Sequence, residues 1–437
     1  MSFNSLSKGV KMQNNIRKIP EKWDIVKVKD VAKINELSVS NNYQHDKIEY
    51  IDIKSVEKRQ ILNVQHLLLS EAPSRARRIV RVNDILISTV RPNLKHFTFL
   101  KNAKANTIAF TGFAVITPYK VNPQYLYYYL TTDQFTNFLS QIADTHTSTY
   151  PALNPDVIEN ADLFLPPDEE QNKIGNTLGA LDEKIELNRQ MNTTLEAIGQ
   201  AKFKHWFMDF EFPNEEGKPY KSSGGEMKET ELGEVPVGWK LVNLEDIADV
   251  IDCLHSKKPK KKDKGELLLQ VYNVGQNGLL DLSDPFYISE EDYKLWTRRM
   301  MLNKGDLVIT KTGRVGAIAR IPRGVFSALG RNMVGIRVKQ EFSNSHFLRD
   351  CMLSDWMRSE IQRRTNDGTI LQSLHVKSIN VLRICLPSPN LLKSYEEITK
   401  PIHEKIEENA IESHTLASIR DALLPKLMSG EIRVNHN

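Results

Sequence analysis

"LDEKIELNRQ", Leu181–Gln190, returns as "IHEKIEENAI", Ile402–Ile411, about 220 residues further along the chain. That distance is too great for a short solenoid repeat, so the echo concerns the whole architecture. Other pairs keep nearly the same offset. "IPEKW" (Ile19–Trp23) matches "VPVGW" (Val235–Trp239), and "VNDILIST" (Val82–Thr89) resembles "NKGDLVIT" (Asn303–Thr310). "LFLPP" (Leu163–Pro167) matches "ICLPSP" (Ile384–Pro389). The chain therefore reads as a tandem duplication, in which a mixed unit of about 145 residues and a long helix alternate twice.

The helices are the clearest elements. From Asp168 the chain runs without proline to Phe212, with apolar residues at Ile174, Leu178, Leu181, Ile185, Leu195 and Ile198 in helical spacing. The second copy places Ile398, Ile402, Ile406, Leu416, Ile419 and Leu423 in the same order. Asn188 and Asn409 interrupt the two stripes at the same point. A buried Asn weakens a helix seam but fixes its register; the alternative is that both sit at the stripe's edge and face water. A helix of ~35 residues is about 50 Å long, and its apolar seam needs a cover. An antiparallel pairing of the two copies supplies one and carries the mixed units at opposite ends.

These readings predict an α/β (α+β) fold of two similar domains in a pseudo-two-fold arrangement, separated by two long antiparallel helices. The expected boundaries are an N-terminal tail (1–18), a first domain (19–166), spacer helix 1 (167–212), a flexible or extended linker (213–234), a second domain (235–388), and spacer helix 2 with a C-terminal tail (389–437).

Composition bounds the function. Hydrophobic content of 40% and charged content of 26% are those of an ordinary globular chain. No run approaches the roughly 18 apolar residues of a membrane helix, and the first residues lack a signal-peptide core. Three scattered cysteines, Cys253, Cys351 and Cys385, suit reduced thiols in the cytoplasm, with neither a disulfide framework nor a metal cluster. A net charge of +4 says less than its distribution. Arg75, Arg77, Arg78 and Arg81 cluster in "SRARRIVR", and Lys257, Lys258, Lys260, Lys261, Lys262 and Lys264 in "HSKKPKKKDK". Such runs suit a polyanionic partner or form plain solvated loops.

Catalytic patterns are missing: the chain has no GxGxxG, GxxxxGK[ST], HExxH or GxSxG. "TGRVG" (Thr312–Gly316) reads as a tight turn between strands. Pro155-Asp156 followed by "DEK" (Asp182–Lys184) has a nuclease-like spacing, but Asp182 and Lys184 fall mid-helix and Asp156 precedes a separate strand, so the three do not converge from adjacent strands. Recognition remains. In the first unit the donors are the "SRARR" arginines, Arg91, Asn93, Lys95 and His96 of "TVRPNLKH", and His146 and Thr147 of "DTHTSTY". The second offers the lysine run, Lys311 and Arg314 of "TKTGRVG", Arg331 and Asn332 of "LGRNM", and Arg363, Arg364, Asn366 and Thr369 of "RRTNDGT". Arg, Lys and Asn supply donors for base edges, and Lys and Ser/Thr serve phosphates. Matching positions with divergent sequences suit two specificities on one frame, or simply unconstrained loops.

"LPPDEEQNKIGNTLGALDEKIELN" (Leu165–Asn188), "AKFKHWFMDFEFPNEEGKPYKSSGGEM" (Ala201–Met227) and "LASIRDALLPKLMSGEIRV" (Leu416–Val434) resemble the specificity subunit of type I restriction–modification systems. The resemblance covers roughly Ile19 to Val434. It implies a non-catalytic subunit with two target recognition domains, each reading one half of a bipartite site in double-stranded DNA. It further implies that the helices set the gap and dock two methyltransferase subunits for adenine methylation, with restriction subunits joining indirectly. S-adenosylmethionine, ATP and Mg²⁺ would then belong to those partners, and no cofactor to this chain. One departure is that "EEQ" (Glu169–Gln171) has "NLLKSYEE" (Asn390–Glu397) in its place in the second spacer. A stand-alone DNA-binding or coiled-coil scaffold protein, or a metal-dependent nuclease, are the alternatives.

Overall fold

The duplicated strand motifs build the same sheet twice. In the computed structural model, which describes residues 20–146, 151–275, 277–342, 344–365 and 372–434, Ala32–Ile34, Phe113–Pro118, Ile85–Ser88 and Phe97–Phe99 form a four-stranded antiparallel sheet in that order. Ala248–Asp252, Met333–Val338, Leu307–Thr310 and Ile318–Arg320 form its counterpart. The expected tail, residues 1–18, falls outside the described residues. Each repeat also closes on a two-stranded ribbon, Asp24–Lys27 with Asp162–Leu165 and Lys240–Asn243 with Arg383–Leu386.

The sequence shows why. "VNDILIST" and "NKGDLVIT" each set a left-handed residue, Asn83 at φ 72° or Gly305 at φ 91°, before an Asp and an apolar strand. Asp84 accepts the Arg81 backbone N–H at 2.7 Å, and Asp306 accepts that of Asn303 at 2.8 Å. The same side-chain turn thus launches each central strand. Two helices follow in each repeat, Pro123–Leu130 and Asp133–His146 in the first, Ser345–Leu353 and Asp355–Arg363 in the second. Asn122 caps the first of these by accepting from Tyr125, and Asn344 caps its equivalent by accepting from Phe347. The mixed class holds: helix takes 39% and strand 25% of the described residues.

The chain divides into two compact units, Met1–Lys184 with Leu416–Asn437, and Ile185–Thr415. The long helices are Asp168–Phe203 and Pro389–Met428. In the first unit Ile174 and Leu178 are buried in one core with Leu424, Leu427, Met428 and the sheet residues Ile85 and Ile116. Each such side chain contributes about 1.5–3 kcal/mol of burial. Arg420 ion-pairs with Asp182 at 2.5 Å, so the helices meet antiparallel there. In the second unit Asn188 donates to Glu412 at 2.7 Å and Asn192 to the Ile406 carbonyl at 3.1 Å, again antiparallel.

The seam differs from the apolar stripe in the second unit. There Ile406 is buried, but Ile398 is 42% exposed, Ile198 is also exposed, and Ile185, Leu195 and Ile402 are half-buried, as are Leu181, Leu416 and Leu423 in the first unit. The buried positions of the second unit's seam include Asn188, Glu196, Thr399, His403, Glu407 and Asn409. The first helix also stops short of Phe212. A single π turn, Lys204–Met208, follows it and buries the adjacent Trp206 and Phe207.

The stretch read as a flexible or extended linker is folded. Phe212 stacks between Tyr220 at 4.6 Å and Trp239 at 5.3 Å. Met227–Thr230 and Gly233–Pro236 form a hairpin. The Gly, Ser and Lys content hid aromatic anchors at each end of the segment. Among the described residues, no helix is long and apolar enough to cross a membrane.

Candidate nucleic-acid interface

In each repeat, loops far apart in sequence meet at one end of the sheet. In the first unit, Thr89 leaves its strand and donates to the Gly112 carbonyl at 2.8 Å, while Thr111 donates to the Arg75 carbonyl at 2.9 Å. Arg91 donates its backbone N–H to Pro151 at 2.8 Å, and Val90 bridges Ala152. "SRARR", "TVRPNLKH" and the segment after "DTHTSTY" therefore converge. In the second unit, Lys311 donates to the Asn332 carbonyl at 2.8 Å, Leu374 donates to the Lys311 carbonyl at 2.8 Å, and Thr312 bridges Ser373. Thr89 and Lys311 are equivalent, as are Gly112 and Asn332. Backbone hydrogen bonds fix the loop roots and leave the tips to vary.

The side chains are not equally free. In the first unit Arg75 is exposed, its guanidinium 5.8 Å from the Phe110 ring centre. Arg77 donates to the Ser74 carbonyl at 3.1 Å. Arg78 is half-buried, its Nε lacks a partner, and burial lowers its pKa. Arg91 and Lys95 adopt left-handed φ values of 47° and 57° around the turn Pro92–Leu94, which exposes Asn93. Lys95 ion-pairs with Asp133 at 2.6 Å, and His96 lies 2.5 Å from the Val56 carbonyl. His146 ends its helix, but its side chain lies outside the description, as do Thr147, Asn366 and Thr369.

In the second unit Lys257, Lys258, Lys260 and Lys262 are exposed, with the Lys258 ammonium 4.4 Å from the Phe286 ring centre. Lys261 pairs with Asp284 at 2.5 Å. Arg331 and Asn332 are exposed, Asn332 at φ 63°. Four residues expected to read DNA are engaged elsewhere. Arg314 donates to the Val274 and Gly275 carbonyls at 2.7 and 3.2 Å. Arg363 and Arg364 both pair with Glu360. Lys311 is largely buried against Asp252 at 2.5 Å.

Asp252, Cys253 and His255 bring one ligand-type atom each within 4.8 Å of one another. Asp252 is already held by Lys311 and by His255 at 2.8 Å. Burial raises its pKa, but Lys311 and His255 outweigh that and keep the carboxyl below its usual range. The trio serves as the anchor of the lysine-rich loop. Asp182, the nuclease-like acid, has one oxygen on the Tyr128 hydroxyl at 2.7 Å and the other on Arg420, which commits it to packing.

Two exposed residues that sequence reasoning passed over line a cleft at the same end of the second unit: Arg358 and Gln362, one turn apart on the helix Asp355–Arg363. Their only signal was a four-residue spacing on a short helix.

Residues 20–197 match the model of the type I restriction modification DNA specificity domain. The MjaIX specificity subunit of a type I restriction enzyme from Methanocaldococcus jannaschii is 27% identical, over 97% of this chain and 96% of that one. The HindI specificity subunit of Haemophilus influenzae is 25% identical over 88% and 94% of the two chains. The crystal structure of the type I restriction–modification S subunit from M. genitalium superposes with a TM-score of 0.55 at 14% identity, covering 98% of this chain and 99% of that one, a likeness of fold.

Proposed function

On the premise that this chain belongs to the specificity subunits of type I restriction–modification systems, the non-catalytic members that recognise DNA sequence, we propose a division of labour within it. Each recognition domain reads one half of a bipartite duplex site, and the two long helices set the gap between the halves. The observation that carries this reading is the repeated convergence of loops: Thr89 with Gly112 and Leu153 in one unit, Lys311 with Asn332 and Leu374 in the other. Identical roots with different tips are what two readers of different sequences need. Exposed Arg75, Arg91 and Asn93 serve the first reader, and Arg331, Asn332 and the lysine-rich loop serve the second. Base edges take Arg and Asn, phosphates take Lys.

The helices also dock two methyltransferase subunits. Leu187, Ile198, Ile398 and Ile411 in the second unit and Ile419 in the first stand exposed on them, and apolar residues spaced along a helix suit a helical partner surface. Those partners bring S-adenosylmethionine and methylate adenine; a restriction subunit adds ATP- and Mg²⁺-dependent cleavage in the cytoplasm. The test is to co-express the chain with its methyltransferase in a methylation-free host and sequence the modified bases. A two-part motif with a fixed gap is expected. Methylation with no motif, or none at all despite a stable complex, counts against the reading.

A further inference from the structure

The helix Asp355–Arg363 buries Met357, Glu360 and Ile361 and turns Arg358 and Gln362 outward. These two lie four residues apart, on one helical face. They stand at the rim of an open cleft of about 430 Å³, walled by Arg314 and Gly316 and floored by Met352 and Ile361. The wall is fixed. Arg314 is held by two backbone carbonyls, and a Cβ on Gly316 (φ 78°) would lie 3.0 Å from Ile361 Cγ2, so the loop runs hard against the helix. The rim is free. Gln362 makes no side-chain hydrogen bond among the described residues, and Arg358 has only Asp355 at 3.5 Å, the two being 73% and 97% exposed. A pair so exposed holds its members weakly.

The first unit is built differently at the equivalent place. There the turn Pro92–Leu94 packs on the helix Asp133–His146, and Lys95 ties it down through Asp133. Counted from the helix start, Arg358 and Gln362 correspond to Thr136, which is buried, and Ser140, which donates to the Thr136 carbonyl at 2.8 Å. The shorter loop of the second unit leaves open what the first unit fills.

An apolar floor beneath one amide and one guanidinium matches a particular base pair. In the major groove an A·T pair shows adenine N7 as acceptor, N6 as donor, and the thymine methyl beside them. A Gln side chain carries one acceptor and one donor group in the complementary order. We propose that this cleft reads an A·T pair in the half-site of the second domain. Gln362 makes the bidentate contact to adenine, the half-buried Val315 and Leu353 of the cleft lining meet the thymine methyl, and Arg358 holds a flanking phosphate. The inference rests on the DNA-reading function proposed above and assigns a specificity-determining residue within it.

The full chain, co-expressed with its methyltransferase and read by sequencing of modified bases, provides the test. Gln362→Ala weakens discrimination at one A·T position of one half-site by about 5- to 150-fold, the range for one good bidentate contact. Gln362→Glu moves that position towards C, because a carboxylate accepts from cytosine N4. Arg358→Ala keeps the motif and lowers methylation at all sites together. Ser140→Ala, the equivalent change in the closed first domain, leaves the motif as it was. A motif unchanged in both Gln362 variants, or altered in both half-sites, overturns the proposal. So does loss of all methylation, or a melting temperature several degrees lower in Gln362→Ala, which marks a structural residue. A wild-type chain that yields no two-part motif sinks the parent function, whereas a wild-type motif that survives both substitutions sinks only this inference.

Discussion

His346 sits in the most heavily charged buried place of the second unit. Its ring stacks on His403, with the Nδ1 atoms 3.0 Å apart, and its Nε2 lies 3.4 Å from Arg320. Arg320 pairs with Glu407, Arg349 pairs with both Glu196 and Asp350, and the Tyr395 hydroxyl donates to Asp350 at 2.7 Å. Burial pushes Asp350 up, but His403, Arg349 and Tyr395 outweigh it and hold the carboxyl below its usual range. Removing one partner from such a network strands a buried charge, so Asp350→Asn is expected to cost about 3–5 kcal/mol, read as a fall in denaturant midpoint. His346 itself is pushed from 6.5 down to about 2, first by burial and then by Arg320, His403, Arg349 and Lys400. With the folded value depressed, the unfolded chain binds the proton first as pH falls. Stability from this group is therefore complete above about pH 6.5 and declines progressively below it, at about 1.4 kcal/mol per pH unit. Glu196 and Glu407, raised by burial against their arginines, act in the opposite sense at lower pH. Thermal unfolding between pH 7 and 5 should thus fall less steeply in His346→Gln than in the parent chain. Identical slopes would show that the folded state takes up this proton freely.

At the scale of elements, the lysine-rich loop after Ala248–Asp252 is rooted by Asp252 with Lys311 and His255, and by the Lys262–Tyr287 bridge. Its outer lysines remain in water. Replacing Lys257, Lys258, Lys260 and Lys262 by Ala should flatten the salt dependence of duplex binding, by up to about 0.9 in the log–log slope for each phosphate no longer neutralised, while the methylated motif stays the same. An unchanged slope would remove the loop from the DNA. Lys261 is left out because Asp284 already holds it. What the sequence showed at this scale was periodicity. The repeated strands, the two helices and the duplication were all legible, since each rests on local spacing or on one stretch compared with another. The seam of the second unit was not. Tyr395, Thr399, His403 and Glu407 recur every four residues, as do Asn188, Asn192 and Glu196. A polar row of that kind reads as a wet face. It is buried because Arg320 and Arg349, from distant strands and helices, come to meet it. The same limit applies to the loops: Arg314 has the residue type and position of a reader, yet its guanidinium lies on the Val274 and Gly275 carbonyls. The folded segment after Phe212 escaped because composition outweighed its three anchoring aromatics.

For the whole molecule, the proposed separation of readers from ruler makes two experiments independent. Exchanging residues 19–165 for those of a relative should replace one half-site and leave the other, since the four-stranded sheet and ribbon of that unit are complete within the segment. Scrambling of both halves would show that the domains do not read autonomously. The ruler is tested by length. Asn188 and Asn192 of one helix meet Asn409, Glu412 and Ile406 of the other, so an added turn in one helix alone leaves its partner holding the parental length. Four residues inserted after Asn188 and four after Asn409 keep both sets of hydrogen bonds near phase and lengthen the pair by about 6 Å. With base pairs rising about 3.4 Å, the gap in the methylated motif should grow by one or two positions. The half-site sequences should persist, because no loop has moved within its own sheet. Two residues at each point instead rotate the seam by about 200°, carry Asn188 and Asn409 away from their partners, and should abolish assembly with the methyltransferase. An active four-residue variant that keeps the parental gap would mean that something other than the helices measures the distance between the readers.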